Sequence, residues 1–234
     1  MNQGWNWMGF LDYLFNPYLL GGALTTLWLT LAAIAGGLIL GAVLALARVS
    51  KLKRLSSIAG FYIWIFRGTP LLVQLIIIYT GLPQVGIKLS VIQSALLGLI
   101  LNEAAYLAEI IRGGIQSVPA GQTNAAKALG LSHAQAMRYV ILPQATRLIT
   151  PALGNSINGL LKTTSITSVI SMEELLRRTQ VLIQEEFMVL ELFLVAALYY
   201  LLMTSIWDIA QRHIERHFGR AYGPARPPQL SEQR

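Results

Sequence analysis

The fold of this chain is decided by one polar stretch that lies between long apolar runs. The stretch reads Gly121-Gln122-Thr123-Asn124-Ala125-Ala126-Lys127-Ala128-Leu129-Gly130, followed nine residues later by Val140-Ile141-Leu142-Pro143. Pro119 suits the first turn of a helix, and Gly130 favours a left-handed end to it. Ser132-His133-Ala134-Gln135 is a capping-box pattern that starts a second helix. Pro143 is expected to end that second helix, because the residue before a proline is steered away from helical geometry.

The composition around this segment is that of a membrane protein. Hydrophobic residues make up 54% of the 234 residues, charged residues 12%, and the mean hydropathy is +0.54. A helix needs about 20 apolar residues to cross a bilayer core. We therefore predict an all-α integral membrane protein with five spans, at roughly 19–47, 56–80, 91–116, 149–172 and 188–211.

The basic residues predict the orientation of the chain. The net charge is +7, and thirteen of the eighteen Lys and Arg residues fall in the 48–54 link, in 112–147 and in the tail from Arg212 onward. The positive-inside rule places these segments in the cytoplasm, with the N-terminus outside. We expect an external segment at 1–18, with Trp5, Trp7, Tyr13 and Tyr18 as an aromatic belt, and a cytoplasmic tail at 212–234 whose Gly- and Pro-rich end is disordered.

The polar stretch resembles the EAA loop of permeases in the ATP-binding-cassette importer superfamily. The family pattern is Glu-Ala-Ala, three residues, Gly, nine residues, Ile-x-Leu-Pro. Here Asn124 replaces the Glu and Val140 replaces the Ile. The resemblance assigns the coupling to an ATPase to residues in the 117–148 loop, namely Gly121, Asn124, Ala125, Ala126, Leu129, Gly130, Leu142 and Pro143. Because Asn124 carries no charge, an ion pair at that position is in doubt.

Three further motifs resemble the polar amino-acid branch of this family. They are Arg67-Gly68-Thr69-Pro70-Leu71-Leu72-Val73-Gln74-Leu75, Ala105-Tyr106-Leu107-Ala108-Glu109-Ile110-Ile111-Arg112 and Lys162-Thr163-Thr164-Ser165. The resemblance implies a type I importer permease with a MetI-like fold over residues 19–211. It also implies a second permease subunit, identical or similar, two ATP-binding subunits that hold ATP and Mg, and an external solute-binding protein. The chain has no Walker A pattern of its own, so we expect it to bind no cofactor and to be no enzyme.

Polar residues inside the predicted spans are candidates for the substrate pathway. Gly68-Thr69-Pro70 interrupts the second span. A broken helix at mid-membrane often lines a binding cavity, although a structural proline kink is an equal alternative. The pathway candidates are Arg67, Gln74, Asn102, Glu103, Tyr106, Asn155, Asn158, Lys162 and Ser165. The last four fall within about 80° of arc on the fourth span, so they predict a polar stripe along one face of that helix. Glu103 with Lys162 or Arg67 could complement a zwitterionic amino acid, or these charges could pair with one another. For Arg67 and Glu109 a structural ion pair is favoured.

Other functions fit the sequence less well. A helix-turn-helix that binds DNA is disfavoured, because the helix pair is tethered between spans and lacks a basic recognition face. His213 and His217 could contact a metal, but no third ligand is evident. No catalytic constellation has convincing spacing, and five spans are few for a carrier that works alone.

Overall fold

All regular structure in the described part of the chain is helical. The computed structural model describes residues 5–219. The α-helices are α1 (Trp7–Leu14), α2 (Pro17–Val49), α3 (Lys53–Gly68), α4 (Leu71–Ile76), α5 (Val91–Gln116), α6 (Ala120–Ala128), α7 (His133–Ala136), α8 (Leu142–Thr163), α9 (Leu175–Glu186) and α10 (Val189–Gly219). Four short turns of other helical types lie between them, two of π type at Ile77–Gly81 and Met137–Ile141 and two of 3-10 type at Leu82–Val85 and Thr164–Ile170.

Three described helices are long and apolar enough to cross a membrane, namely α2, α5 and α10. A fourth candidate is the pair formed by α3 and the segment Leu71–Val85, whose axes are bent by 102°. This bend confirms the interruption predicted at Gly68-Thr69-Pro70. The chain is therefore an all-helical membrane protein with three or four such candidates in its described part.

Small residues bring α2 and α5 into close contact. A Cβ atom added at Gly41 would lie 3.0 Å from the carbonyl oxygen of Ala104 and 3.0 Å from Cβ of Leu107. At Gly37 an added Cβ would lie 3.3 Å from Cβ of Glu103. The two backbones thus approach each other as small residues allow in membrane helix pairs, which fixes the position of Glu103 on α5.

The helix pair in the 117–148 loop forms as the capping signals predict. Gly130 has φ +79° in the left-handed region. The Ser132 hydroxyl accepts a hydrogen bond from the backbone N–H of Gln135, and the Gln135 side chain accepts one from the backbone N–H of Ser132. These two local devices produce the corner between α6 and α7.

The expectation that Pro143 ends the second helix is wrong. A π-type turn continues α7 into α8, and the N–H of Leu142 donates to the carbonyl of Met137, five residues back. The α-helical register restarts at Leu142, so Pro143 falls in the first turn of α8, where its missing N–H is tolerated. The Gln144 side chain also donates to the carbonyl of Val140 over 2.9 Å.

Several segment boundaries differ from the sequence prediction. The α-helical part of the 149–172 span begins at Leu142 and ends at Thr163, and α10 extends past position 211 to Gly219. The first residues of the predicted tail are therefore helical, and its Gly- and Pro-rich end lies outside the described residues. Tyr13 and Tyr18 pack against a buried cluster, and the aromatic belt at the membrane surface stays a prediction.

Candidate functional site

The break between α3 and α4 leaves a backbone carbonyl without its helical partner. The carbonyl of Phe66 would accept from the N–H of residue 70, but Pro70 has none. The side-chain amide of Gln74 donates to this carbonyl over 3.0 Å, and that of Asn102 donates over 3.2 Å. Gln74 also donates to the carbonyl and hydroxyl of Thr69, and it accepts a hydrogen bond from Asn102 over 3.0 Å. Gln74 and Asn102 therefore hold the break open in a defined shape.

A cavity of about 350 Å³ lies beside this break. Its lining residues come from the α3–α4 break, from α5 and from α8: Thr69, Pro70, Leu71, Asn102, Glu103, Tyr106, Ser156, Gly159, Leu160 and Thr163. The volume is within the range of small-molecule sites, and the lining mixes neutral hydrogen-bonding groups with one carboxylate.

Glu103 is the only charged residue in that lining. It is 7% exposed, and the Ser156 hydroxyl donates a hydrogen bond to one of its carboxylate oxygens. No Lys or Arg side chain contributes to the cavity wall in the described part of the chain. The cavity thus presents a hydrogen-bonded acidic group to any molecule that enters it.

Arg67 lies next to the cavity, and its charge faces a different carboxylate. Its guanidinium is 3.7 Å from Glu109 and stands over the ring of Tyr106, 5.4 Å from the ring centre. Arg112 donates two hydrogen bonds to the two oxygens of Glu109, at 2.9 and 2.7 Å. The geometry therefore brings Arg67 and Glu109 together and adds Arg112, whose part in this cluster the sequence did not reveal.

The structure does not bring Lys162 into the cavity with Glu103. Lys162 and Ser165 line a separate opening between the end of α8 and α10, with Tyr200 and Thr204 on its other side. Asn158 donates to the carboxylate of Asp208 on α10 over 2.5 Å. The polar stripe predicted on α8 is real, but its neighbours are α10 residues.

Sequence reasoning missed the residues of α8 that do line the cavity. Ser156, Gly159 and Thr163 follow one another at helical spacing of three and four residues, one step around the helix from the predicted stripe. The sequence signal for this side of α8 is a row of small residues, two of which carry hydroxyl groups. Asp208, an acidic residue within a predicted span, was also missed.

The candidate coupling surface is formed by the corner of α6 and α7 and the start of α8. Leu129 at the corner is 80% exposed, and Gly121, Asn124, Ala125 and Gly130 are exposed beside it. Leu142 and Pro143 are also exposed, whereas Ala126 is buried against the rest of the loop. Ile115, Val118, Ile141, Ala145 and Ile149 form a buried cluster that joins the end of α5 to the start of α8. The segments that flank the exposed corner, at Val118 and Ile141, thus pack together with both helices that line the cavity.

A broken helix that lines a cavity, together with an exposed helical corner, is the arrangement expected of a membrane transport permease. Residues 37–220 match the model of the family described as the binding-protein-dependent transport system inner membrane component. The chain therefore belongs to this family, as the permease subunit of a binding-protein-dependent ATP-binding-cassette importer for polar amino acids, and it is a transport component without a catalytic role. It is a multi-pass protein of the inner membrane.

Relatives with curated names are transport permeases for amino acids. The chain is 40% identical over 232 residues to the arginine transport system permease protein of Corynebacterium glutamicum, covering 93% of this chain and 73% of that protein. It is 37% identical over 202 residues to the glutamine transport system permease protein of Escherichia coli strain K12, covering 86% and 92%.

Solved structures show the same architecture. A chain in a crystal structure of an amino acid ABC transporter with histidines matches with a TM-score of 0.87 at 39% identity, over 92% of this chain and 100% of the other. A chain of the MetNI methionine ABC transporter in an inward-facing conformation matches with a TM-score of 0.72 at 19% identity, over 86% and 96%. The second likeness supports the MetI-like fold predicted from the sequence.

Proposed function

We propose that the cavity beside the α3–α4 break is where this permease holds its amino-acid substrate, with Glu103 facing a positively charged group. The observation that carries the proposal is a buried carboxylate in a cavity of amino-acid size to which none of the described residues contributes a cationic side chain. A charge inside a membrane protein is costly unless it has a counter-charge. The ammonium group of an amino-acid substrate supplies that counter-charge, and so does the side chain of a cationic amino-acid substrate.

The other pathway candidates divide into three groups in this proposal. Asn102 and Tyr106 line the cavity and offer hydrogen bonds to the substrate, while Gln74 supports the break from behind. Arg67 stays with Glu109 as a structural pair. Asn155, Asn158, Lys162 and Ser165 form the contact of α8 with α10 and do not touch the substrate.

Substitution of Glu103 tests this assignment. Glu103→Gln keeps the size of the side chain and can still accept from Ser156, but it removes the charge. A hydrogen bond to a charged group contributes about 1.5–3 kcal/mol, so substrate binding should weaken by about 10- to 150-fold. Direct binding to the purified transporter, measured without the solute-binding protein, isolates this site from the specificity of that protein.

Lys162→Gln is the matched control, since it also neutralises a charge but in the separate opening beside α10. We expect it to leave substrate affinity near that of the unmodified transporter. Equal losses in the two variants would contradict the proposal. Failure of Glu103→Gln to assemble, with unchanged affinity in the fraction that does assemble, would make Glu103 structural.

The energy for transport is proposed to reach the cavity through the exposed corner between α6 and α7. Two ATP-binding subunits, which hold ATP and Mg, bind this corner on the cytosolic side of the membrane. A second permease subunit and an external solute-binding protein complete the assembly. The support is the buried cluster around Val118 and Ile141, which joins the segments on either side of the corner to α5 and α8. Movement of the corner would then reach both walls of the cavity.

The proposed topology has five spans, with the N-terminus outside and the C-terminus in the cytoplasm. The fourth span is α8. Its polar stripe lowers its mean hydropathy, and this helix can carry polar residues because it packs against α5 and α10. The chain contains no cysteine, so single cysteines can report the orientation. A membrane-impermeant maleimide should label Lys88→Cys in intact cells and Lys127→Cys only after lysis. The reverse pattern would invert the topology and rule out the coupling role.

A further inference from the structure

Helix α1 exposes a row of large apolar side chains. Trp7 is 67% exposed, Met8 77%, Leu11 57% and Phe15 76%. At about 100° per residue, Trp7, Met8 and Leu11 lie within about 100° of arc on the helix, and Phe15 follows directly after its last residue. Asp12, the only charged residue of α1, lies about 40° outside that arc. The exposed side of α1 is thus an apolar strip and not a solvated face.

The opposite side of α1 is fixed to the start of α10. Phe10 and Tyr13 pack against the buried cluster that contains Leu192. The N–H of Asn6 donates to Glu191 over 2.9 Å, and the hydroxyl of Tyr199 donates to the carbonyl of Leu14 over 2.9 Å.

The contact between Gly9 and Met188 leaves no room for a side chain at position 9. An added Cβ there would lie 2.6 Å from Sδ of Met188. The helix is therefore held in place, and its apolar strip cannot turn inward to hide from water.

The apolar strip continues into exposed apolar surfaces of two candidate membrane spans. Only Phe15 and Asn16 separate α1 from α2, a candidate span whose Leu20 and Leu24 are also exposed. On the other side, Trp7 and Met8 share a cavity wall with Leu190 at the beginning of α10, another candidate span.

We propose that α1 lies at the membrane interface of the leaflet in which α2 begins, with Trp7, Met8, Leu11 and Phe15 in contact with lipid. Aromatic and large apolar residues of short interfacial helices occupy the boundary between headgroups and acyl chains in this way. In the proposed topology this is the outer leaflet. The α1–α10 contacts then tie the outer end of α10 to the bilayer surface, so that the two helices move together relative to the lipid.

Continuity with α2 and α10 favours lipid over a protein partner as the occupant of this surface. The strip is contiguous with the exposed side chains of two membrane-spanning helices and begins within one turn of both. A docking site for an external protein would have to lie above that boundary. The inference does not depend on the substrate assignment of Glu103, and either can fail alone.

Spin labels at single cysteines test the proposal in the complete transporter in lipid nanodiscs. Labels are placed at Met8 and Leu11 on the strip, at Asp12 on the same helix and at Lys88 as an exposed polar control. Collision with oxygen, which partitions into lipid, is compared with collision with a water-soluble nickel chelate. We expect oxygen to dominate by several-fold at Met8 and Leu11 and the nickel chelate to dominate at Asp12 and Lys88.

Two results would overturn the proposal. The first is dominance of the nickel chelate at Met8 and Leu11, which would place the strip in water. The second is loss of collision with both reagents at these positions only when the solute-binding protein is added, which would make the strip a protein docking surface. Assembly with the ATPase subunits, checked for each labelled variant, ensures that the label reports on a folded transporter.

Discussion

Replacement of Gln74 by leucine should destabilise the permease more than any other substitution at the α3–α4 break. Gln74 is 7% exposed, and its side chain donates to the carbonyls of Phe66 and Thr69 and accepts from Asn102. Leucine has nearly the same volume and fits the apolar neighbours, so the loss comes from the hydrogen bonds. Phe66 keeps its bond from Asn102, whereas the carbonyl of Thr69 and the amide of Asn102 each lose a partner.

The size of the effect follows from the groups left without partners. Thr69 is exposed and Asn102 is half-buried, so water can replace part of what they lose. Gln74→Leu removes four hydrogen bonds, and a net contribution of about 0.5–1.5 kcal/mol for each should lower the free energy of unfolding by about 2–4 kcal/mol. Asn102→Leu removes one of two donors to Phe66 and leaves only the Gln74 carbonyl oxygen unpaired. We expect that variant to cost about 1–2 kcal/mol.

Reversible unfolding of the purified permease in mixed micelles with increasing dodecyl sulfate measures these differences. Gln84→Leu is the matched control, because the Gln84 side chain is exposed and makes only one long contact, at 3.5 Å to the carbonyl of Thr80. A larger loss in Asn102→Leu than in Gln74→Leu would refute the reasoning. So would equal losses in Gln74→Leu and Gln84→Leu, since the break would then need no side-chain support.

Two glycine substitutions extend these tests to the coupling corner and to the α2–α5 contact. Gly130→Pro should leave the protein in the membrane but abolish co-purification of the ATPase, because proline cannot adopt the φ of +79° at the corner; unchanged co-purification would refute the coupling role. Gly41→Val should destabilise the permease by about 1–3 kcal/mol through overpacking in the same unfolding assay. The control is Gly113→Val, which should cost less because an added Cβ at that position meets no atom within 4 Å. Similar losses in both would mean that the close approach of α2 and α5 is not tightly packed.

Features governed by neighbouring residues in the sequence were predictable. The corner at Gly130 and the capping box at Ser132 depend on local backbone geometry and on hydrogen bonds across three residues. The break at Pro70 follows from a missing N–H and could be placed from the sequence in the same way. The long apolar runs likewise predict membrane helices from their length alone.

Features that depend on distant partners were not predictable. The polar stripe of α8 could be drawn on a helix, but which side faces α5 and which faces α10 depends on tertiary packing. Lys162 was therefore grouped with Glu103, although the two line different openings. The π-type turn before Leu142 was missed for a related reason, because the rule for residues before proline assumes an uninterrupted α-helical register.

That π-type turn has a mechanical consequence, because it joins the proposed coupling corner to the cavity wall through one continuous helical segment. Ser156 lies fourteen residues after Leu142, which is about 21 Å along the axis at about 1.5 Å per residue. A tilt of about 5° pivoting at Leu142 would displace Ser156 by about 2 Å. A displacement of that size is enough to separate the Ser156 hydroxyl from the carboxylate of Glu103. A small tilt at Leu142 would thus take away the hydrogen-bond partner of the only charged residue that the described residues contribute to the cavity.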